Sequence, residues 1–243
     1  MRGALLGERF ASLIPGRVDA ETAAWFAGTL ASLGAGAGAA TQEKGALLVA
    51  LARAGRRLGR APVTLTAGEH AGLKNAGVVC APDGWGLDEC GRAALLLRGV
   101  EAIPAGEHAS LVSELVQHGE AREQQAVLRV LAYLPDPGRF LDIAAWACRT
   151  HVQSVFEAIA CENPFPERHF PDSSWNQLVL KAVFLEVAVS RIAGLGRRVG
   201  DDLARMAESY GSERRAAGRS VPADIDRILA HRSAGGRGPG SHA

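Results

Sequence analysis

The sequence predicts an all-α protein, built as an irregular α-solenoid of HEAT-like helical repeats. Alanine, leucine and arginine are abundant among its 243 residues, as is glycine, and aromatic residues make up only 5%. Alanine, leucine and arginine favour helices, and the shortage of aromatic residues disfavours strands. Apolar residues recur at helical spacing along most of the chain. In the second half, helical stretches of about a dozen residues are joined by very short turns, as in the paired helices of α-solenoids.

The first half of the chain is predicted to be helical but less regular. Asp19 is placed to cap a helix over residues 21–33, and the glycine-alanine loop 34–39 ends it. A longer helix follows over residues 43–58, with leucines facing inward and arginines outward. Two shorter helices are then expected in a region rich in glycine and proline: residues 67–75 and 87–97.

The second half is predicted to be more regular. Four helices separated by short turns come first: residues 107–118, 121–134, 139–149 and 151–160. The prolines at 164, 166 and 171 are expected to hold residues 163–171 extended. A strongly apolar helix follows, with Asp172 or Ser173 as its cap, and two polar helices close the fold: residues 203–217 and 222–231.

These elements predict one all-helical domain over residues 1–232. Its less regular part is residues 1–104, and its helical-repeat part is residues 105–232. The glycine-rich segment 233–243 is predicted to be a disordered tail.

Charge and hydropathy argue against nucleic-acid and membrane proteins. The net charge is +1, with 27 basic and 26 acidic residues, so no basic field is available to attract nucleic acid. The arginine cluster at 53, 56, 57 and 60 is interpreted as a solvated helix face.

The longest apolar run, residues 182–189, is too short to span a membrane, and the first residues do not form a signal peptide. We therefore expect a cytoplasmic protein.

Cysteine spacing gives no sign of disulfides or metal. The four cysteines show no CxxC pattern, which indicates free thiols in a reducing compartment. Cys148, His151, Cys161 and His169 have ligand chemistry that suits zinc, but their spacing is not that of a zinc site. We expect no metal and no cofactor.

The candidate site residues lie in and before the apolar helix. Gln177 and Lys181 are four residues apart and share a helical face, with Asn176 beside it. A lysine in an apolar helix needs a partner. That partner is either an oxygen-rich ligand or a carboxylate, for which Glu157 is the natural choice. Removing one partner of a buried pair costs about 3–5 kcal/mol whether or not the pair does chemistry.

Asn163 and His169 flank the prolines and complete the set of candidates. Either residue can bind a ligand or close the loop by bonding nearby backbone. The predicted ligand-binding residues are Asn163, His169, Asn176, Gln177 and Lys181. The candidates for a catalytic role are Glu157, His169 and Lys181.

The same part of the chain resembles a known family. NPFPERHFPDSSWNQLVLKAVF, preceded by RTHVQSVFEAIACE and followed by RIAGL, is similar to the core of EboA-type proteins. EQQAVLRVLAYLPDPGRFLDIAAWACRT and ERRAAGRSV are similar too, so the resemblance is strongest over residues 120–221. It implies a part in making or exporting a small secondary metabolite, and it brings no catalytic mechanism with it.

Taken with the resemblance, the sequence favours a non-catalytic accessory or scaffold protein of a secondary-metabolite pathway. Such a protein would bind other proteins of that pathway, or a polar intermediate. The alternative is an enzyme acting on a polyol- or cyclitol-like metabolite, with Glu157, His169 and Lys181 as acid, base and electrostatic stabiliser. The two differ in geometry, because an enzyme needs those groups converging around an open pocket.

Overall fold

The all-α class is confirmed. A computed structural model describes residues 2–33 and 40–235, which form fourteen α-helices and no strand. Their one β feature is an isolated antiparallel bridge between Pro62 and Gly86. The predicted loop 34–39 lies outside the described residues, as do residues 236–243 of the predicted tail. The chain divides into two compact units, an N-terminal unit of residues 1–159 and a C-terminal unit of residues 160–243.

The N-terminal unit contains nine helices, the last of which runs one residue past its boundary. They are α1 (Arg2–Ala11), α2 (Ala20–Ser32), α3 (Ala40–Arg57), α4 (Ala67–Asn75), α5 (Leu87–Gly99), α6 (His108–His118), α7 (Ala121–Val130), α8 (Leu141–Arg149) and α9 (Gln153–Ala160). All but α1 were expected from the sequence. The helix predicted over 121–134 is shorter, because the chain tightens into a 3₁₀ turn at Leu131–Tyr133.

Local signals explain where these helices begin. Asp19 accepts a hydrogen bond from the backbone N–H of Thr22 at 2.7 Å, which confirms its role as the cap of α2. Thr66 and Glu69 form a capping box at the start of α4, since each side chain bonds the backbone N–H of the other residue.

Helix α5 is the core of the N-terminal unit. Every residue from Leu87 to Gly99 is buried except Arg98. Helices α1, α2, α3 and α7 all pack on it, so elements far apart in sequence surround one central helix. In a solenoid each repeat contacts only its neighbours, and the HEAT-like repeat arrangement is therefore not confirmed.

The C-terminal unit contains five helices. They are α10 (Pro164–His169), α11 (Asp172–Phe184), α12 (Leu195–Arg198), α13 (Asp201–Ala216) and α14 (Ala223–Gly235). Because α14 runs to Gly235, residues 233–235 of the predicted disordered tail are helical.

The prediction that residues 163–171 are extended was wrong. Asn163 caps α10 by accepting a hydrogen bond from the N–H of Phe165 at 2.9 Å. Pro164 and Pro166 occupy the first turn of α10, where a helix does not use its backbone N–H groups. The proposed caps of α11 were also wrong: Pro171 is the cap residue, and Asp172 lies within the first turn.

Helix α11 is buried on one side rather than all round. Trp175 is 0% exposed, and Leu178, Val179, Ala182 and Val183 are buried as well. The last residue, Phe184, is nevertheless 69% exposed. No helix in the described part of the chain is long and apolar enough to cross a membrane.

Candidate functional site

A cleft of about 450 Å³ opens in the C-terminal unit where the start of α11 meets α12 and the start of α13. Charged and amide side chains dominate its walls. The lining residues are Asp172, Asn176, Arg197, Arg198, Val199, Gly200, Asp201, Asp202 and Leu203. We take this cleft as the candidate functional site.

Helix α11 contributes Asp172 and Asn176, which lie one turn apart and so share a face. Asn176 is only 8% exposed, and a buried amide normally finds hydrogen-bond partners. Among the described residues, no group hydrogen-bonds the side chain of Asn176. Because that amide lines the cleft, its donor and acceptor atoms are available to a bound molecule.

Arg198 contacts both α10 and the first turn of α11 in the wall of the cleft. Its guanidinium donates to the carbonyls of Pro166 at 3.0 Å and Phe170 at 2.9 Å, which lie near the end of α10. It also pairs with the carboxylate of Asp172 at 2.6 Å. On its other side it lies 4.7 Å from the ring centroid of Trp175, a cation–π distance. These contacts orient the first turn of α11.

Arg197 is fixed in a similar way by Glu167. Its Nε donates to Oε1 of Glu167 at 2.7 Å. Gly194 makes room for this pair, because a Cβ at that position would lie 2.3 Å from Cδ of Glu167. Gly194 also has φ of +82°, a left-handed conformation that other residues adopt at a cost. The guanidinium of Arg197 is still largely exposed, at 74%.

The N-terminus of α13 forms the opposite wall. Its cap residue is Gly200, which has no side chain to accept from the first backbone N–H groups. Among the described residues, the N–H groups of Asp201, Asp202 and Leu203 have no acceptor. A helix N-terminus with open N–H groups favours anionic or oxygen-rich ligands.

This arrangement suits a polar molecule with several hydroxyl or charged groups. Donors come from the α13 backbone, the two arginines and the amide of Asn176, and acceptors come from Asp172, Asp201 and Asp202. Each of the three aspartates pairs with an arginine: Asp172 with Arg198, Asp201 with Arg232 and Asp202 with Arg205.

Of the five predicted ligand residues, only Asn176 lines this cleft. Asn163 serves as the cap of α10. The ring of His169 lies 4.8 Å from that of Phe165. Gln177 is exposed and Lys181 is half-buried. The structure thus places these residues on several faces of α10 and α11.

Glu157 belongs to α9 in the N-terminal unit. Its carboxylate accepts a hydrogen bond from Nε2 of Gln153 at 3.0 Å, one turn earlier on the same helix. The pairing of Glu157 with Lys181 stays a prediction.

The arginines and the open helix end of the cleft were not predicted from the sequence. Arg197, Arg198 and Gly200 lie directly before a helix that begins with two aspartates, which is a recognisable helix-start signal. The contact of Arg198 with Asp172, however, spans 26 residues. Spacing within one helix could not have shown it.

A buried ion network in the N-terminal unit was also missed. On α5, Asp88, Glu89 and Arg92 are 1%, 3% and 6% exposed. Asp88 accepts from Nη1 of Arg92 and from Nε of Arg122, both at 2.8 Å. Glu89 accepts from Nη1 of Arg129 at 2.7 Å and from the N–H of Gly86 at 2.8 Å. Each buried charge therefore has partners, as buried charges require.

Electrostatics keep the Asp88 carboxylate ionised. Burial by itself would raise the pKa of Asp88, but the hydrogen bonds and charges of Arg122 and Arg92 outweigh it and lower that pKa. Arg129 also lies 4.8 Å from the ring centroid of Trp85. The network ties α5 to α7 and resembles a closed structural cluster.

Two of the four cysteines are buried and two are partly exposed. Cys90 lies in α5, where burial raises the pKa of its thiol to about 12. Cys161 is buried as well, whereas Cys80 and Cys148 are partly exposed. Within residues 2–33 and 40–235, no three His, Cys, Asp or Glu side chains are grouped to hold a metal ion.

Fold and site together describe an all-helical protein with a polar cleft suited to binding a small molecule. The chain belongs to the EboA family, because the family model described as metabolite traffic protein EboA matches residues 7–230. The match covers most of the chain, including both units, and confirms the resemblance seen in residues 120–221. Comparison with curated proteins and with solved structures found no match.

Proposed function

We propose that this protein is a non-catalytic accessory protein of a secondary-metabolite biosynthesis or export pathway, and that it binds a polar intermediate in the cleft of the C-terminal unit. The family description, metabolite traffic, supports a role in handling a small molecule. The observation that carries the proposal is the amide of Asn176. It is more than nine-tenths buried, lines the cleft and has no hydrogen-bond partner among the described residues.

Solvent still reaches the amide oxygen and nitrogen of Asn176, since neither is among the fully buried side-chain atoms that lack a partner. Water can complete their hydrogen bonds, and a ligand with hydroxyl or carboxylate groups can take the place of that water. The open N–H groups of α13 lie in the same cleft and favour oxygen atoms.

The accessory role also includes contact with other proteins of the same pathway, in the cytoplasm. The helices of residues 105–232 are the part that we propose as HEAT-like, and such repeats commonly present surfaces to partners. Trp146 and Val152 expose apolar surface in this segment. A pathway enzyme that receives the intermediate is the partner that fits this role.

The alternative is an enzyme for a polyol- or cyclitol-like metabolite, which would use Glu157, His169 and Lys181. His169 and Lys181 do not line the cleft described above. Glu157 is engaged with Gln153. Because the geometry within each unit does not favour catalysis by these residues, the accessory role is the proposed function.

Replacement of Asn176 tests the proposal in cells that carry the pathway. Asn176→Leu keeps the volume of the side chain and removes both its donor and its acceptor. Gln177→Leu is the matched control, because Gln177 is the next residue on α11, is exposed and does not line the cleft. We expect Asn176→Leu to lower metabolite output with little change in melting temperature. Equal output from both variants would contradict the proposal.

A further inference from the structure

Two pockets meet in the N-terminal unit. The first, of about 170 Å³, lies among α3, α6 and α7 and is mainly aliphatic, with Leu48, Leu51, Leu115 and Val127 in its wall. The second, of about 350 Å³, is charged. Both are lined by Ala52, Arg92 and Glu123, so they form one groove that is apolar at one end and charged at the other.

Helix α3 forms one continuous wall of this groove. Leu48, Leu51, Ala52, Gly55 and Arg56 follow the spacing of a single helical face, and they pass from the apolar pocket into the charged one. The change from leucine to glycine and arginine along this face explains why the groove has two ends of different chemistry.

Positive charge at the charged end is available to a ligand. Four guanidinium groups and three carboxylates line this end. Arg92 and Arg122 are already committed to Asp88, and Arg92 also lies 3.7 Å from Glu123. With Glu120 and Glu123 both ionised, the four guanidinium groups exceed the three carboxylates by one charge. The charges left over for a ligand therefore depend on Arg56 and Arg60.

Arg56 and Arg60 are both exposed. In the described part of the chain they form no ion pair or hydrogen bond, although Arg57, the neighbour of Arg56 on α3, pairs with Glu21 of α2. A guanidinium pairs strongly with phosphate or carboxylate oxygens, often through two parallel bonds.

The size of the apolar end limits what can occupy it. A closed apolar cavity of about 150 Å³ in another protein holds one benzene molecule, and this pocket is slightly larger. We propose that the groove binds a small molecule consisting of an apolar six-membered ring that carries an anionic group, phosphate or carboxylate. The ring lies against Leu51 and Val127 next to the junction of the two pockets at Ala52, and the anion points toward Arg56 and Arg60. This site is separate from the polar cleft of the C-terminal unit and does not depend on the proposed function.

Titration calorimetry of the full chain with defined probes tests this site. The probes are phenyl phosphate and benzoate, with phenol and inorganic phosphate as the two halves of the ligand. We expect at least one ring-bearing anion to bind at least tenfold more tightly than either half. Phenyl phosphate tighter than benzoate would identify phosphate as the preferred anion, and the reverse order would identify carboxylate.

Paired variants locate the binding. Arg56→Gln with Arg60→Gln should weaken binding of the ring-bearing anion at least tenfold, whereas Arg53→Gln, an exposed arginine of α3 outside the groove, should not. Ala52→Phe should block the junction of the two pockets, while Ala46→Phe, on an exposed position of α3, should bind as the wild type does.

Three results would overturn the proposal. One is failure of both anions to bind, and another is inorganic phosphate or phenol binding as tightly as the complete probe. The third is an equal loss of affinity in the groove variants and their controls. Because Arg56, Arg60 and Ala52 are exposed, these variants are expected to fold, which circular dichroism checks.

Discussion

Nη1 of Arg92 donates to the carboxylate of Asp88 at 2.8 Å, one turn earlier on a helix that is buried along almost its whole length. The same guanidinium donates through Nε to the carbonyl of Leu51 on α3 at 3.1 Å, and Nε of Arg122 on α7 donates to the same oxygen of Asp88, Oδ2, at 2.8 Å. Three helices thus share one carboxylate and its arginines. Buried ion pairs add little net stability compared with apolar packing, so we expect this cluster to act by setting which faces of α3, α5 and α7 meet.

Removing the central carboxylate should be costly. We expect Asp88→Asn to lower the free energy of unfolding by about 3–5 kcal/mol, because Arg92 and Arg122 then keep only the longer ion pairs with Glu123 and Glu89. Urea denaturation measures this value. Glu21→Gln is the control, since Glu21 is 87% exposed in its pair with Arg57, and its loss should cost less than about 1 kcal/mol. Similar values for the two variants would show that the network is not a buried unit.

Gly55 should be needed for the position of Arg92. A Cβ at Gly55 would lie 2.2 Å from Nη2 of Arg92 and 3.1 Å from its Cζ. Because that guanidinium is held by Asp88 and Leu51, Gly55→Ala should destabilise the protein by about 1–3 kcal/mol. Gly45→Ala on the same helix meets no atom within 4 Å and should gain up to about 1 kcal/mol. Thermal unfolding compares them, and stabilisation by both substitutions would contradict the observed packing.

The pair of Glu69 with Arg17 should make stability depend on acid pH. Hydrogen bonds from Arg17, then from the backbone of Thr66, lower the pKa of Glu69 from 4.5 to about 2. A carboxylate with a lowered pKa in the folded state stabilises the protein above its unfolded pKa, and this contribution is lost as pH falls through the folded value.

The gap in unfolding free energy between the wild type and Glu69→Gln should therefore be constant above pH 4.5 and close between there and about pH 2. Arg17→Gln, which removes the partner instead, should show the same closing gap. A gap that stays constant down to pH 2 would indicate that the pair does not persist in solution. Chemical denaturation at a series of pH values measures it.

Trp175 should anchor α11 by packing and by its cation–π contact with Arg198. The ring is 0% exposed, and its Nε1 donates no hydrogen bond to a described residue. Trp175→Ala should cost about 3–5 kcal/mol, and Trp175→Phe should cost less because no hydrogen bond is lost. Trp146→Ala, at a residue 36% exposed, is the control and should have a small effect. A change near zero for Trp175→Ala would contradict its burial.

Most helices could be predicted from the sequence, because the cap residues and apolar spacing that mark a helix lie within it or next to it. Asp19 lies next to the helix that it caps, and the leucines of α3 recur within a few residues of one another. Proline was misread at positions 164 and 166, since the same fixed φ suits both an extended segment and the first turn of a helix. The helix over residues 2–11 was overlooked because the segment was considered only as a signal peptide.

The candidate site was predicted only through Asn176, whose position on an apolar helix marked it as unusual. Its neighbours in the cleft come from α12 and α13, and nothing in the local spacing connects Arg198 to Asp172. The network around Asp88 could not be predicted from local spacing either, because charges at 88, 89 and 92 match the pattern of an exposed helix face. Their burial depends on Arg122 and Arg129, more than thirty residues later in the chain.

The central claim is that the cleft of the C-terminal unit holds a polar small molecule, and native mass spectrometry of protein purified from cells that carry the pathway tests it most directly. Wild-type protein and Gln177→Leu should both carry a bound small molecule that denaturation releases, and Asn176→Leu should carry none while keeping its melting temperature. Wild-type protein without any bound small molecule, or Asn176→Leu with the same one, would contradict the claim.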